Sequence, residues 1–277
     1  MKTTELTPAD FDYVRTLVRD RAAIVLEEDK HYLIETRLQT LARADGLSSP
    51  REIMERMRRD QMSTWHTKVV EAMTTNETSF FRDLKPFEAL RKMVFPALIA
   101  QRRAERRLAV WCAACSTGQE PYSIAMILRD PAVVPAEWTK QLHATDLAAS
   151  VLERAKQGRY NQFEVNRGLP AALLVKYFQK QGVEWQVKDE LRSMIEFKQL
   201  NLIESWPHMP NMDVVFLRNV LIYFDVETKR RILARVRNVL RPDGYLFLGG
   251  AETTLNLDDA FVRVDFNGSG CYRLRSC

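Results

Sequence analysis

Hydrophobic positions recur at two different spacings along the chain, and the change between them falls near residue 100. In the first ninety residues the spacing is helical. Thr7-Pro8 marks a helix start, with threonine as cap and proline in the first turn, where no N–H is needed. Phe11, Val14, Leu17 and Val18 follow on one face. A second helix is expected from Asp29 to Ala44, stopping at Gly46, a third from Ser49-Pro50 with Ile53, Met54 and Met57 inward, and a fourth over Thr64 to Thr74.

After a basic connector the pattern changes to short apolar runs alternating with amphipathic stretches. Strands are expected at Leu108–Ala113, Gln141–Thr145, Ile195–Leu200, Val214–Leu217 and Tyr245–Leu248. Helices are expected at Glu120–Leu128, Leu147–Gln157 and Glu227–Leu240. Such alternation predicts a parallel, doubly wound sheet. Phe261–Phe266 and Cys271–Leu274, joined through Asn267-Gly268, predict an antiparallel terminal hairpin. Between Arg159 and Ser193, the alternation of Val183, Trp185 and Val187 after Gly182 predicts a small β-hairpin insertion near 177–190. The expected organisation is an all-α domain over 1–90, a basic linker helix over 91–107 and an α/β domain over 108–277.

Composition adds bounds. At 277 residues, 46% hydrophobic and 28% charged, the chain can bury cores in two domains. No apolar run approaches a bilayer span, and MKTTELTPADFDYV lacks the pattern of a signal peptide. Cys112, Cys115, Cys271 and Cys277 do not make a disulfide framework in a chain of this size, so a reducing cytoplasm is expected. The net charge of +5 gathers partly at Arg102, Arg103, Arg106 and Arg107, a run that reads as a solvated helix face. That is too dispersed for a nucleic-acid binder.

The chemistry centres on residues 110–126, VWCAACSTGQEPYSIAM. Trp111-Cys112-Ala113-Ala114-Cys115 has the spacing of a redox dithiol. A working dithiol puts its first cysteine at a helix N-terminus, however, and here the helix can begin only near Gln119. The other two cysteines and four histidines make no zinc set. A dinucleotide needs a turn with several glycines, and this one has only Gly118. A nucleoside ligand without phosphates, such as S-adenosylmethionine, asks for less. Glu120 can meet its amino group, and Asp146, ending the next strand, can accept the ribose diol. The alternatives are that Asp146 only caps the following helix and that Glu120 only stabilises its own first turn. Pro242-Asp243-Gly244 before a strand, with the antiparallel finish, strengthens the nucleoside reading.

With those residues in place, the chain resembles the bacterial chemotaxis receptor methyltransferases, the CheR family, over nearly its whole length. The most specific segments are Thr75-Asn76-Glu77-Thr78-Ser79-Phe80-Phe81-Arg82, Ser116-Thr117-Gly118-Gln119-Glu120-Pro121-Tyr122-Ser123 and Arg218-Asn219-Val220-Leu221-Ile222-Tyr223-Phe224. The resemblance implies a Rossmann-like S-adenosylmethionine-dependent methyltransferase fold with a small all-α N-terminal domain. It implies methylation of glutamates on the cytoplasmic helical bundle of chemoreceptors, with S-adenosylhomocysteine as product. Asn76, Thr78 and Arg82 would reach the cofactor, as would Glu120, Asp146, Asn201, Leu202, Asn219 and Val220. Arg82 and Tyr223 would position the substrate carboxylate. Lys30, Arg37 and Arg43 would form a basic docking surface, with Lys30 and Arg37 on one helix face. The insertion resembles the element with which some members grip a receptor tail peptide. The Cys-Ala-Ala-Cys strand end departs from the expected small Ala and Ser residues.

A glutamate is ionised at neutral pH, with a reference pKa of about 4.3, and attacks a sulfonium methyl without a general base. The site must therefore supply alignment and exclusion of water. Nucleic-acid methylation is the enzymatic rival, but Arg218-Asn219-Val220-Leu221-Ile222-Tyr223 lacks the proline pair of amine-alkylating enzymes. A non-catalytic cofactor-binding module is the other rival. No metal, no nucleic acid, no membrane insertion and a monomer recruited to receptor arrays complete the expectation.

Overall fold

The computed structural model describes residues 6–275, so Cys277 and the first five residues lie outside the described residues. The chain divides into two compact units, one reaching to Thr75 and including Tyr223–Asp225, the other formed by Asn76–Ile222 with the segment from Val226 onward. The division thus falls at residue 75 rather than at 90.

Among the described residues the N-terminal unit holds four α-helices: α1 (Pro8–Ala22), α2 (His31–Ala44), α3 (Pro50–Arg59) and α4 (Thr64–Ala72). Thr7 starts α1 through a reciprocal capping box, its hydroxyl accepting from the Asp10 N–H while the Asp10 carboxylate accepts from the Thr7 N–H. Val14, Val18, Ile34, Leu38, Ile53, Met57 and Val69 are fully buried between these helices. The second helix begins later than expected, because Glu28–Lys30 form a separate 3₁₀ turn and Lys30 caps α2 from outside it.

In the second unit, α5 (Lys85–Ala89), a π turn (Leu90–Val94) and α6 (Phe95–Gln101) run on as one helix. That helix stops at Gln101 and does not continue to 107. Arg102 leaves it to enter the interior, where its Nε donates to Asp213 Oδ1 at 3.0 Å and its Nη1 to Asp243 Oδ2 at 2.7 Å. Arg102 is 6% exposed, so the basic run is not a uniformly solvated helix face.

The strands and helices that follow are β1 (Arg107–Ala113), α7 (Gln119–Leu128), β2 (Thr139–Asp146) and α8 (Ala149–Gln157). The insertion comprises β3 (Arg159–Asn161), α9 (Gln162–Asn166), α10 (Ala171–Tyr177), β4 (Phe178–Gln181) and β5 (Glu184–Val187). Then come α11 (Asp189–Arg192), β6 (Ile195–Gln199), β7 (Met212–Leu217), α12 (Val226–Val239), β8 (Leu240–Leu248), β9 (Phe261–Val264) and β10 (Cys271–Leu274). The main sheet has the order β6-β2-β1-β7-β8-β10-β9. The first five of these strands pair in parallel, and β10 is antiparallel to both β8 and β9. The insertion is a three-stranded antiparallel sheet, β3-β5-β4, one strand more than the expected hairpin.

The chain builds the sheet outward from β1 in one direction through β2 and β6, then returns to place β7 and β8 on the other side. The switch point therefore lies between the C-terminal ends of β1 and β7, where open α/β sheets bind ligands. β1 and β7 are held flush by Asp213, whose Oδ2 accepts the Ala109 N–H at 2.8 Å.

Candidate functional site

The turn leaving β1 is held in shape from several sides. Ala114 and Ser116 take left-handed φ values of 55° and 51°, and Gly118 reaches 96°. A Cβ on Gly118 would lie 2.9 Å from Ala155 Cβ and 3.0 Å from the Tyr160 hydroxyl, so glycine is required by approach as well as by conformation. The Cys115 N–H donates to the Thr145 carbonyl at 2.9 Å. The Ser116 N–H donates to Asp146 Oδ2 at 2.8 Å, and the Ser116 hydroxyl donates to the Asn76 carbonyl at 2.8 Å. Three separate segments, 76, 116 and 146, thus meet over the C-terminal ends of β1 and β2.

Asp146 also reaches toward the start of α8. Its Oδ1 accepts the Ala148 N–H at 3.1 Å, Ala148 stays extended, and the helix starts at Ala149 rather than at Leu147. The Asp146 carbonyl accepts from Leu200, which brings Asn201 and Leu202 to the end of β2. Leu202 is buried, and Asn201 braces its own turn by accepting from the Ile203 N–H and donating to Glu204.

Glu120 sits in the first turn of α7, but its carboxylate does more than stabilise that turn. Oε2 receives Arg218 Nη1 at 2.5 Å, and Oε1 receives the Cys112 thiol at 3.1 Å. Arg218 also donates through Nη2 to Asp83 Oδ2 at 2.7 Å and to the Arg82 carbonyl at 3.1 Å. Its Nε is buried without a partner. The Arg82 guanidinium donates to the Glu77 carbonyl at 2.7 Å, and Thr78 is half-buried in the same segment. Phe81, Asp83 and Leu84 all have positive φ, a strained stretch that Ser123 Oγ anchors by accepting the Phe81 N–H. Arg167, and secondarily Arg82, hold the Glu77 carboxyl below its ordinary range.

Beyond β7, Asn219 is left-handed at φ 57°. The backbone N–H groups of Asn219, Val220 and Leu221 all point to the Glu252 carboxylate. Arg218, Asp83 and Glu252 escaped the sequence reading. For Arg218 the signal was a charged residue directly after the apolar run Val214–Leu217; for Glu252, whose partners are backbone groups, there was none.

The cysteines are not a dithiol centre. Burial, then the Glu120 charge, pushes the Cys112 thiol well above its ordinary pKa, and burial with the Asp146 charge does the same to Cys115. A reactive thiol needs the opposite shift.

Four expected residues lie in the N-terminal unit. Lys30 is ion-paired to Asp29 at 3.2 Å, which raises its pKa. It precedes α2 and so does not share a helix face with Arg37. Arg37 is half-buried, donating to the carbonyls of Ala72 and Thr74 and to the Thr75 hydroxyl, and burial lowers its pKa. Arg43 is exposed near the end of α2. Tyr223 groups with this unit, its carbonyl accepting from the Val25 N–H at 3.2 Å.

A doubly wound sheet with an antiparallel last hairpin, one glycine in the first turn and a carboxylate closing β2 defines an S-adenosylmethionine-dependent methyltransferase domain. Comparison with known proteins agrees. Residues 76–267 match the family described as CheR methyltransferase, SAM binding domain, and residues 9–74 match CheR methyltransferase, all-alpha domain. The chain belongs to the CheR methyltransferase family. It is 42% identical to chemotaxis protein methyltransferase 1 of Pseudomonas aeruginosa, covering 96% of this chain and 98% of that one. It is 38% identical to chemotaxis protein methyltransferase Cher2 of Pseudomonas putida over 96% and 98%. Identity to the chemotaxis protein methyltransferase of Vibrio parahaemolyticus is 35% over 98% and 100%. Among the described residues no helix is long and apolar enough to cross a membrane.

Proposed function

We propose that this methyltransferase esterifies glutamate side chains on the helical bundle of chemoreceptors in the cytoplasm. The observation that carries the reading is the convergence of Asn76, Ser116 and Asp146 over the C-terminal ends of β1 and β2, within a chain whose named relatives are chemotaxis protein methyltransferases.

The donor set fits S-adenosylmethionine. The Asp146 carboxylate, held by two backbone N–H groups at the end of β2, suits a ribose diol. Glu120 suits the amino group of the methionine end, and the unpartnered buried Nε of Arg218 suits its carboxylate. Asn76, Thr78 and Arg82 approach from the first segment of the unit, Asn201 and Leu202 flank the base, and Asn219 and Val220 form the wall beyond β7. When bound, the cofactor supplies an electrophilic methyl group on a sulfonium. No general base is required, since the incoming glutamate is already an anion at neutral pH, with a reference pKa of about 4.3. The protein's part is to orient that carboxylate, a role for Arg82, and to exclude water. Arg43 is the docking cation for an acidic receptor helix, with Lys30 beside it in charge if not on its helix face. On this reading the three-stranded insertion would serve a receptor tail peptide, as in the family members it resembles.

The test is incubation with methyl-labelled S-adenosylmethionine and receptor-containing membranes. Label should enter the receptor, be released as methanol by mild base, and disappear when the accepting glutamates are replaced by alanine. Base-stable label, or label in nucleic acid instead, would remove the glutamate reading while leaving the methyltransferase intact.

A further inference from the structure

Glu252 lies in the turn after β8 and is 8% exposed. Its Oε1 accepts the N–H groups of Val220 at 2.9 Å and Leu221 at 2.7 Å. Its Oε2 accepts those of Asn219 at 2.7 Å and Gly249 at 2.6 Å. Four backbone donors therefore meet one carboxylate, and no cation of the described residues pairs with it. A buried carboxylate without a counter-ion is costly unless N–H dipoles replace its hydration. Conversely, those four donors leaving the ends of β7 and β8 need acceptors, and only an ionised carboxylate offers two equivalent oxygens to both pairs. An amide of the same shape would present an NH₂ group to two of them.

The clamp fixes a conformation the chain would not choose alone. Asn219 is left-handed, a state that persists in a non-glycine residue only when its surroundings over-determine it. Gly249 is crowded to match, since an added Cβ would lie 2.6 Å from Asn219 Nδ2 and 2.7 Å from Glu252 Oε2. Just before the clamp, Phe216 and Phe247 stack at 4.5 Å, so the two strand ends are joined by an apolar contact below and a polar one above.

We infer that Glu252 is a positioning residue of the methyl-transfer site: it sets the Asn219–Val220 wall in its binding conformation before the cofactor arrives. The inference rests on reading Asn219 and Val220 as that wall. Glu252 acts through the backbone it holds and touches no ligand.

The experiment compares E252Q, E252D, G249A and N219A in the full chain. Readouts are the Kd for S-adenosylhomocysteine by calorimetry, KM and kcat, and amide exchange across the domain. For E252Q the Kd should rise at least tenfold and KM for the methyl donor should rise with it. Exchange should quicken selectively at 219–221 and 249. E252D should recover part of the affinity. G249A, whose added Cβ would press on both Asn219 and the Glu252 carboxylate and so disturb the clamp without removing its charge, should reproduce the loss, and it decides the matter should E252Q not fold. Affinity of E252Q, or of a soluble G249A standing in for it, within twofold of the parent overturns the inference if N219A weakens binding tenfold. If N219A is also within twofold, the reading of the wall falls with it. Exchange quickened equally throughout the domain would make Glu252 a general strut and would likewise overturn the inference.

Discussion

The Asp146 carboxylate accepts the Ser116 N–H at 2.8 Å, tying the end of β2 to the turn that leaves β1. The same side chain holds Ala148 extended through its other oxygen. Replacing it removes an acceptor that orders two loops and, on the proposed reading, the anchor of the cofactor ribose. A hydrogen bond to a charged group contributes about 1.5–3 kcal/mol. Asp146→Ala should therefore weaken S-adenosylhomocysteine binding roughly tenfold to a hundredfold by calorimetry. Asp146→Asn, which keeps an acceptor but loses the charge, should fall between. Unchanged affinity in both variants would leave Asp146 as a loop brace only.

Arg218 and Glu120 form a pair whose side chains are 1% and 10% exposed. Removing one partner from a buried pair leaves an uncompensated charge, at a typical cost of about 3–5 kcal/mol, whereas removing both can be nearly neutral. Arg218→Met should lower unfolding stability by roughly that amount, and Glu120→Gln/Arg218→Met should lie well short of the sum of the single changes. Recovery will be incomplete, since Arg218 also serves Asp83. Additive single effects in urea unfolding would show that the two charges are not coupled.

The pH dependence turns on Asp243. Arg102, hydrogen-bonded to it, holds its carboxyl below the ordinary range. A group whose folded pKa is depressed stabilises the fold above its unfolded value, about 3.9 for aspartate, and loses that contribution as pH falls through the folded value. Stability should thus be held down to about pH 4 and decline below it. Asp243→Asn should be less stable than the parent at pH 7, with the difference shrinking on acidification. A constant difference across pH 7 to 3 would mean the ion pair carries none of it.

What the sequence disclosed follows from how local each cause is. Thr7 and Pro8 start a helix through neighbours three residues away, and the expected start held. Gly118 and Asp146 were legible because the strand pattern places one in the turn after β1 and the other at the end of β2. Arg102 was not, because QRRAERR reads as a helix face, and the aspartates that draw it inward lie on β7 and β8. The strand β3 is three residues long and exists by pairing with β5, so no periodicity announces it. Glu252 answers to backbone N–H groups, which carry no side-chain signature at all.

Arg37 and Arg43 separate two meanings of a basic residue on one helix. Arg37 donates to the carbonyls of Ala72 and Thr74 and to the Thr75 hydroxyl, which closes the last turn of α4 against α2. Arg37→Ala should accordingly destabilise the N-terminal unit by about 1–3 kcal/mol, the range for leaving such acceptors unmet. Arg43 is exposed and its guanidinium makes no hydrogen bond or ion pair among the described residues, so Arg43→Ala should change stability by no more than about 0.5 kcal/mol. If it steers an acidic receptor helix, its loss should slow receptor methylation at low ionic strength. The difference should fade as salt screens charges beyond about 8 Å near 0.15 M. Initial methylation rates against sodium chloride, measured at receptor concentrations below KM, decide the point. Equal rates for the parent and Arg43→Ala at low salt would move the docking surface off α2, since Arg37 is already engaged within its own unit and Lys30 with Asp29.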